Sequence, residues 1–227
     1  MSYTDNYLSL KNSLPANTQL IVVSKNQTVV AIEELYLAGQ RDFGENKIQE
    51  LWDKDQKTQH LPEIRWHMIG HIQTNKLKKL LSIKRLKEIH SIDREELLIA
   101  LDKMQDHVAS PDKIGLFWEI NISKEVNKHG FESSEAVKNL LPKYVHFLKF
   151  YYHGLMCMGP NLDDEQLSQT QKVFASMKLI KNEWTHDKQI QKYFSKGLKI
   201  SMGMSNDYRY AIQCGSDYLR LGSIIFK

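Results

Sequence analysis

Residues 19–25 read QLIVVSK and residues 29–39 read VVAIEELYLAG. The first stretch is a short apolar run without alternation, which suits a strand buried on both faces. The second carries apolar residues at helical spacing and stops at Gly39. A doubly buried strand followed at once by an amphipathic helix is the βα unit of a parallel sheet. The same alternation then continues along the chain. RDFG (41–44) precedes NKIQELWDKDQKT (46–58), IRWHMIG (64–70) precedes TNKLKKLLSI (74–83), and EIHSI (88–92) precedes REELLIALDKMQDHV (94–108). KIGLFWEINI (113–122) leads to SSEAVKNLLPKY (133–144), and FLKFYYHGLM (147–156) to DDEQLSQTQKVFASMKLIKNEW (163–184). LKISM (198–202) leads to SNDYRYAIQCG (205–215), and DYLRLGSIIF (217–226) follows last.

Eight strand candidates, seven with a helix after them, predict an α/β fold that closes as a (β/α)8 TIM barrel, for which about 250 residues is typical. The 227 residues are read as a single domain, 1–227. The eighth unit is truncated, so an N-terminal helix through Tyr7, Leu8, Leu10 and Leu14 is expected to cover the barrel there. An open doubly wound sheet is the alternative.

With 41% apolar and 26% charged residues the chain can bury a sizeable core and is not a disordered segment. A net charge of +4 permits contact with anions but does not call for nucleic acid. The basic run NKLKKLLSIKRLK (75–87) has Leu77, Leu80 and Leu81 at helical spacing, so its lysines read as a solvated outer face. Cys157 and Cys214 are far apart and suggest neither a disulfide framework nor a zinc motif. The first residues lack the order of a signal peptide, and no apolar run is long enough to span a bilayer. A cytoplasmic protein without membrane or nucleic-acid contact is expected.

In a β/α barrel the chemistry sits at the C-terminal ends of the strands. Those ends carry Lys25, Glu45 and Asn46, the segment WHMIGH, the segment HGLMCMGP, the segment SMGMS, and Arg220 with Gly222 and Ser223. SMGMS (201–205) runs straight into a helix candidate. Ser205, Asn206 or Asp207 could cap it, Gly203 would let backbone approach a guest, and Gly222–Ser223 add N–H donors and a hydroxyl. That place suits a phosphate group, or else holds turn glycines and an ordinary cap. Lys25 ends an apolar strand across the same mouth. An amine kept from water is held neutral and attacks aldehydes, so a phosphorylated aldehyde such as pyridoxal 5′-phosphate would join the two features. Otherwise Lys25 is a solvated strand end.

VVSK (22–25), AGQRDFGENKIQE (38–50), WHMIGHIQTNK (66–76), GLMCM (154–158) and SMGMSNDYRYAIQCGSDYLRLGSIIF (201–226) occur in that order and span nearly the whole chain. In this the sequence resembles the pyridoxal 5′-phosphate homeostasis proteins, the YggS/PROSC family. The resemblance implies the barrel of the alanine-racemase-like, fold-type III proteins, with Lys25 carrying the cofactor as a Schiff base. It implies phosphate contacts from Ser201, Ser205, Gly222 and Ser223, Arg220 facing the pyridine nitrogen, and Asn46 near the ring substituents. His67, Met156 and Met204 would line the pocket. Guanidinium does not give up its proton, so it would leave the ring nitrogen unprotonated and a weak electron sink. Alanine racemases add a second domain with a partner tyrosine, for which eight units in 227 residues leave no room. The resemblance therefore implies a carrier or buffer in vitamin B6 homeostasis, with apo-enzymes as acceptors, as a monomer or weak homodimer. A pyridoxal-phosphate-dependent amino-acid racemase is the alternative. Two departures concern SKNQTV, which lacks a proline common in the family, and Lys47, which stands where an aromatic residue is usual.

Three other features are read as structural. His67 and His71 form H-x-x-x-H, but Met68 replaces the glutamate of zinc helices and Gly70 breaks the helix, so no metal is expected and His67 is placed at the barrel mouth. Glu45 and Glu50 might pair, but Asn46 with Gln49 reads as a helix cap and its return partner. Lys128 and Gly130, in INISKEVNKHGF (120–131), border the site without an assigned role.

Overall fold

The computed structural model describes residues 2–125, 128–160 and 167–227. Eight strands close into a barrel: β1 (Gln19–Val23), β2 (Asp42–Glu45), β3 (Arg65–Met68), β4 (Leu86–Ile92), β5 (Ile114–Glu119), β6 (Phe150–Met156), β7 (Lys199–Ser201) and β8 (Tyr218–Leu221). Every pairing is parallel, and β8 returns to β1 with Gln19 opposite Tyr218 and Val22 opposite Leu221. The barrel expectation is borne out, and the open sheet is excluded by the β8–β1 pairing. Among the described residues no helix is long and apolar enough to cross a membrane.

The helices follow the alternation: α1 (Tyr3–Ser13), α2 (Val29–Leu37), α3 (Ile48–Lys57), α4 (Leu77–Leu81), α5 (Glu95–Lys103), α6 (Ser134–Leu140), α7 (Leu167–His186), α8 (Lys188–Gln191) and α9 (Tyr208–Gln213). The start of the helix expected at 163 lies outside the described residues, and the extra turn α8 was not anticipated. Their apolar faces meet the outward side chains of the strands. Leu20, Val22, Phe43, Trp66, Met68, Leu116, Trp118, Ile200 and Leu219 belong to this outer core layer.

Helix α1 covers the seam where an eighth helix would lie. Ser2 and Asp5 form a reciprocal capping box that starts it. Tyr7 and Leu10 are buried, Leu14 packs against the core, and Leu8 points to solvent instead of joining them. Tyr7 donates to Gln40 Oε1, whose Nε2 donates to the carbonyls of Leu20 and Asp42. Asn6 Nδ2 donates to the carbonyls of Ile225 and Lys227. The sequence shows an amphipathic helix here; these bonds dock it on β1, β2 and the segment after β8.

The barrel interior is unusually polar. Ile21, Phe117, Met156 and Tyr218 form a small apolar cluster within it. Around them lie Asp42, His67, Glu88, His90, His153, Ser201 and Arg220, all buried. A hydrogen bond of 2.9 Å joins His90 of β4 to Ser201 of β7, two strands that are not neighbours, so it crosses the interior.

Candidate functional site

A cavity of about 460 Å³ opens at the C-terminal end of the barrel. Each wall comes from the residues that follow a strand, as barrel geometry requires. β1 delivers Val23 and Lys25, β2 delivers Asn46, β3 delivers Ile69, Gly70 and His71, and β5 ends in Glu119. Met158 and Pro160 follow β6, Met204–Asp207 follow β7, and β8 supplies Arg220, Gly222 and Ser223.

Lys25 stands in a tight turn just past β1. Gln27 N donates to Ser24 O, and Asn26 takes a left-handed φ of 61°. Its side chain is exposed. The turn is fixed from below. Ser24 Oγ donates to Glu45 Oε1 at 2.7 Å, and Lys54 Nζ lies 2.6 Å from both that oxygen and the carbonyl of Ser24. Helix α3 thus reaches under the cavity rim with a buried cation. Glu45 does not pair with Glu50, which bonds the exposed Lys47 instead.

Opposite Lys25, Ser205 Oγ accepts from the N–H groups of Gly222 and Ile224, both at 3.3 Å. This hydroxyl joins the loop after β7 to the loop after β8. A Cβ at Gly222 would stand 2.8 Å from the carbonyl oxygen of Val23, so the backbone here can lie against the tip of β1 because the residue has none. Gly203, expected to allow approach of a guest, has φ +98°, and its missing Cβ makes room for Ala211 and Leu219 within the fold. Asp207 holds the cap position of α9 but accepts from Met204 N in its own loop. Burial pushes its carboxyl up. Asn46 makes no cap. Lys47 occupies that position on α3, and Gln49 bonds Asp53 and Lys79.

Arg220 lies beneath the cavity at 4% exposure. Its Nη1 donates to Ser201 Oγ at 2.7 Å and its Nη2 to Cys157 O at 3.1 Å, both uncharged acceptors. No described carboxylate is within ion-pair distance of it, although burial alone disfavours its charge and lowers its pKa. The Cys157 thiol is buried, and burial pushes it up to about 12.

Seven of the ten residues expected at the site border this cavity: Lys25, Asn46, Met204, Ser205, Arg220, Gly222 and Ser223. Three sit a layer lower. Ser201 is fully buried and spends its hydroxyl on Arg220 and His90. Met156 packs with Ile21, Phe117 and Tyr218. His67, expected at the mouth, is fully buried and bonds Asp42 at the start of β2. Burial alone would lower its pKa, but the bond to Asp42 and the Glu88 carboxylate beside it outweigh that and raise it to about 9.

The cavity also takes His71, Glu119 and His129, while Lys128 and Gly130, expected to border the site, flank His129 without lining it. His71 Nδ1 is 2.6 Å from Asp93 Oδ2, and its ring stacks on His129 with centroids 3.9 Å apart. Lys128 donates to Glu125 and to the carbonyl of Gly159, tying this loop to the exit of β6; Val126 and Asn127 lie outside the described residues. Gly130 has φ +119°, and a Cβ there would meet Asn121 N at 2.8 Å. Glu119 is the least exposed acid of the wall after Asp207. Its position was legible as a carboxylate closing the apolar run GLFWE.

Burial pushes the Glu119 carboxyl up to about 7, with Asp93 adding and Arg220 opposing. The folded chain therefore binds this proton more tightly than the unfolded chain. The group favours folding fully below its ordinary value of 4.5, and that contribution is lost as pH rises through 7. The loss over this window is about 3 kcal/mol. Glu119→Gln is expected to match the parent near pH 4 and to exceed its unfolding free energy at pH 8 by up to about 3 kcal/mol. Denaturant titrations at the two pH values measure the difference.

The family described as alanine racemase, N-terminal domain, matches residues 2–227 of the chain. The pyridoxal phosphate homeostasis protein of Helicobacter pylori (strain J99) is 34% identical over 209 residues, 92% of this chain and 87% of that protein. The human pyridoxal phosphate homeostasis protein is 33% identical over 218 residues, 94% of this chain and 78% of that one. The structure of PipY from Synechococcus elongatus with pyridoxal phosphate bound is similar over 100% of both chains, with a TM-score of 0.83 and 30% identity.

Proposed function

The chain belongs to the alanine racemase N-terminal domain family, and from that we propose that it binds pyridoxal 5′-phosphate in the cavity and serves as a carrier or buffer of that cofactor. The observation that carries this reading is the convergence on one cavity of a lysine amine, a buried guanidinium without a carboxylate partner among the described residues, and a hydroxyl joined to backbone N–H groups. These donors fit the cofactor: an aldehyde for the amine, an acceptor nitrogen for the guanidinium, and a phosphate for the loops. Relatives and a structural neighbour named for the same cofactor support it.

When bound, pyridoxal phosphate supplies an aldehyde that an amine can hold covalently and a ring that can draw electrons. The chain's residues decide which of these is used. Lys25 presents the amine, and the anchored Ser24 sets where it stands. Ser205, Gly222 and Ser223 would hold the phosphate by hydroxyl and N–H donors. Asn46 and Met204 line the same cavity and would border the ring. Arg220 would be the residue to face the ring nitrogen, and it would keep its own proton, because guanidinium does not deprotonate in proteins. Such a donor would leave the nitrogen unprotonated, so the site would hold its guest in preference to driving chemistry on an amino acid. This weighs for a carrier against a racemase. The acceptors are apo-enzymes that use the same cofactor.

One equivalent of pyridoxal phosphate added to the full chain, followed by borohydride, is expected to leave one phosphopyridoxyl group on the peptide that contains Lys25. No adduct, or one spread over surface lysines, would overturn the assignment. Loaded protein should then activate an apo-enzyme, and sustained racemisation of an amino acid would replace the carrier by an enzyme.

A further inference from the structure

A separate group of side chains meets inside the barrel, below the cavity. His67 of β3, with Glu88 and His90 of β4, is buried to 1% exposure or less in each case. His67 Nδ1 is 3.1 Å from His90 Nε2 and 3.1 Å from Glu88 Oε2, and those two atoms are 3.3 Å apart. The three donors form a nearly equilateral triangle. Its centre is about 1.8 Å from each corner, so an ion about 1 Å off the plane would stand about 2.0–2.1 Å from all three, the usual bond length of zinc to imidazole and carboxylate. We propose that His67, Glu88 and His90 form a binding site for a divalent transition-metal ion of the zinc class.

Two further observations point the same way. Glu88 Oε2, the oxygen at the triangle, is a buried atom without a hydrogen-bond partner among the described residues. The outer atom of every ligand, by contrast, is held. His67 Nε2 is 2.9 Å from Asp42 Oδ1, His90 Nδ1 is 2.9 Å from Ser201 Oγ, and Glu88 Oε1 is 2.7 Å from His153 Nδ1. Partners of this kind fix ring and carboxylate orientation around a metal. Two imidazoles and one carboxylate favour zinc and its neighbours over magnesium or calcium. A proton on His67 is the competing occupant, but it satisfies one edge of the triangle and leaves Glu88 Oε2 without a well-directed N–H.

Glu88, Asp42, His153 and Tyr218 border a second opening at the other end of the barrel. His71, Asp93 and His129 at the cavity wall are a weaker candidate. Both histidines are exposed, and His71 Nδ1 and His129 Nδ1 lie 2.6 and 3.7 Å from one Asp93 oxygen, which already occupies them. The proposal does not depend on the cofactor reading. It reaches the cavity through Ser201, which bonds both His90 and Arg220.

The full chain, stripped by a chelator and dialysed, is titrated with Co2+ as a coloured probe and then with Zn2+. One equivalent of Co2+ with visible d–d absorption, displaced by one equivalent of Zn2+, is expected, together with a higher unfolding temperature. Glu88→Gln should weaken the affinity by about 100-fold or more, while His71→Ala leaves it unchanged. If Glu88→Gln does not fold, His90→Asn gives the same comparison. Absence of stoichiometric binding, unchanged affinity in the folded interior variant, or loss confined to His71→Ala each overturns the proposal.

Discussion

Lys25→Ala is expected to abolish covalent capture of pyridoxal phosphate and leave the fold untouched. The side chain is exposed and makes no hydrogen bond to the described residues, so its removal should not shift the unfolding temperature. Ser205, Gly222, Ser223 and Arg220 remain, and with them a non-covalent site for a phosphorylated ring. The variant should therefore bind the cofactor about 100-fold more weakly, a loss of about 2.7 kcal/mol. Borohydride should add nothing to its mass, and its visible spectrum should be that of a free aldehyde. An unchanged adduct would move the amine to another lysine. Loss of all binding would mean that the loops do not hold the phosphate.

Lys54→Met should be the most damaging single change near the cavity that touches no ligand. Lys54 lies 2.6 Å from Glu45, whose side chain is fully buried. Burial pushes the Glu45 carboxyl up, and Lys54 with Ser24 opposes that. The second carboxyl oxygen of Glu45 has no partner among the described residues. Taking the cation away strands a buried carboxylate, which costs about 3–5 kcal/mol. Adding Glu45→Gln should restore most of the loss, since removing both charges of a buried pair is far cheaper than removing one. Urea titrations of the two single variants and the double variant give the coupling directly. The Ser24 carbonyl and hydroxyl both end on this pair. Capture by Lys25 should accordingly slow in Lys54→Met and recover in the double variant.

The sequence discloses the barrel because each unit leaves a periodic trace. QLIVVSK and KIGLFWEINI are continuous because both faces of those strands are covered, and the helices keep a solvated stripe. It discloses strand ends equally well, which is why seven expected residues border one cavity. Depth is what it conceals. His67, Met156 and Ser201 lie at or near strand ends, like Asn46, yet sit a layer below, because strand tilt and stagger at closure set how far each end rises. Pairings made only by the folded chain are hidden for the same reason. Glu45 finds Lys54 nine residues away on α3, and His90 finds Ser201 from the opposite side of the barrel. His129 was missed because its loop carries no periodic signal, and the stacking on His71 exists only in three dimensions.

Cys157 supports Arg220 through its carbonyl and keeps a thiol that burial pushes up to about 12. Thiolates, not thiols, react with alkylating agents and peroxides. At neutral pH this sulfur is almost wholly protonated and enclosed, so it does not compete with an amine for an electrophile and does not oxidise. Cys214, half-buried beyond α9, is the sulfur that reagents reach. Iodoacetamide should mark Cys214 and spare Cys157 in the folded chain, giving a single fluorophore attachment point outside the cavity and a floor beneath it that oxidative stress leaves chemically unchanged.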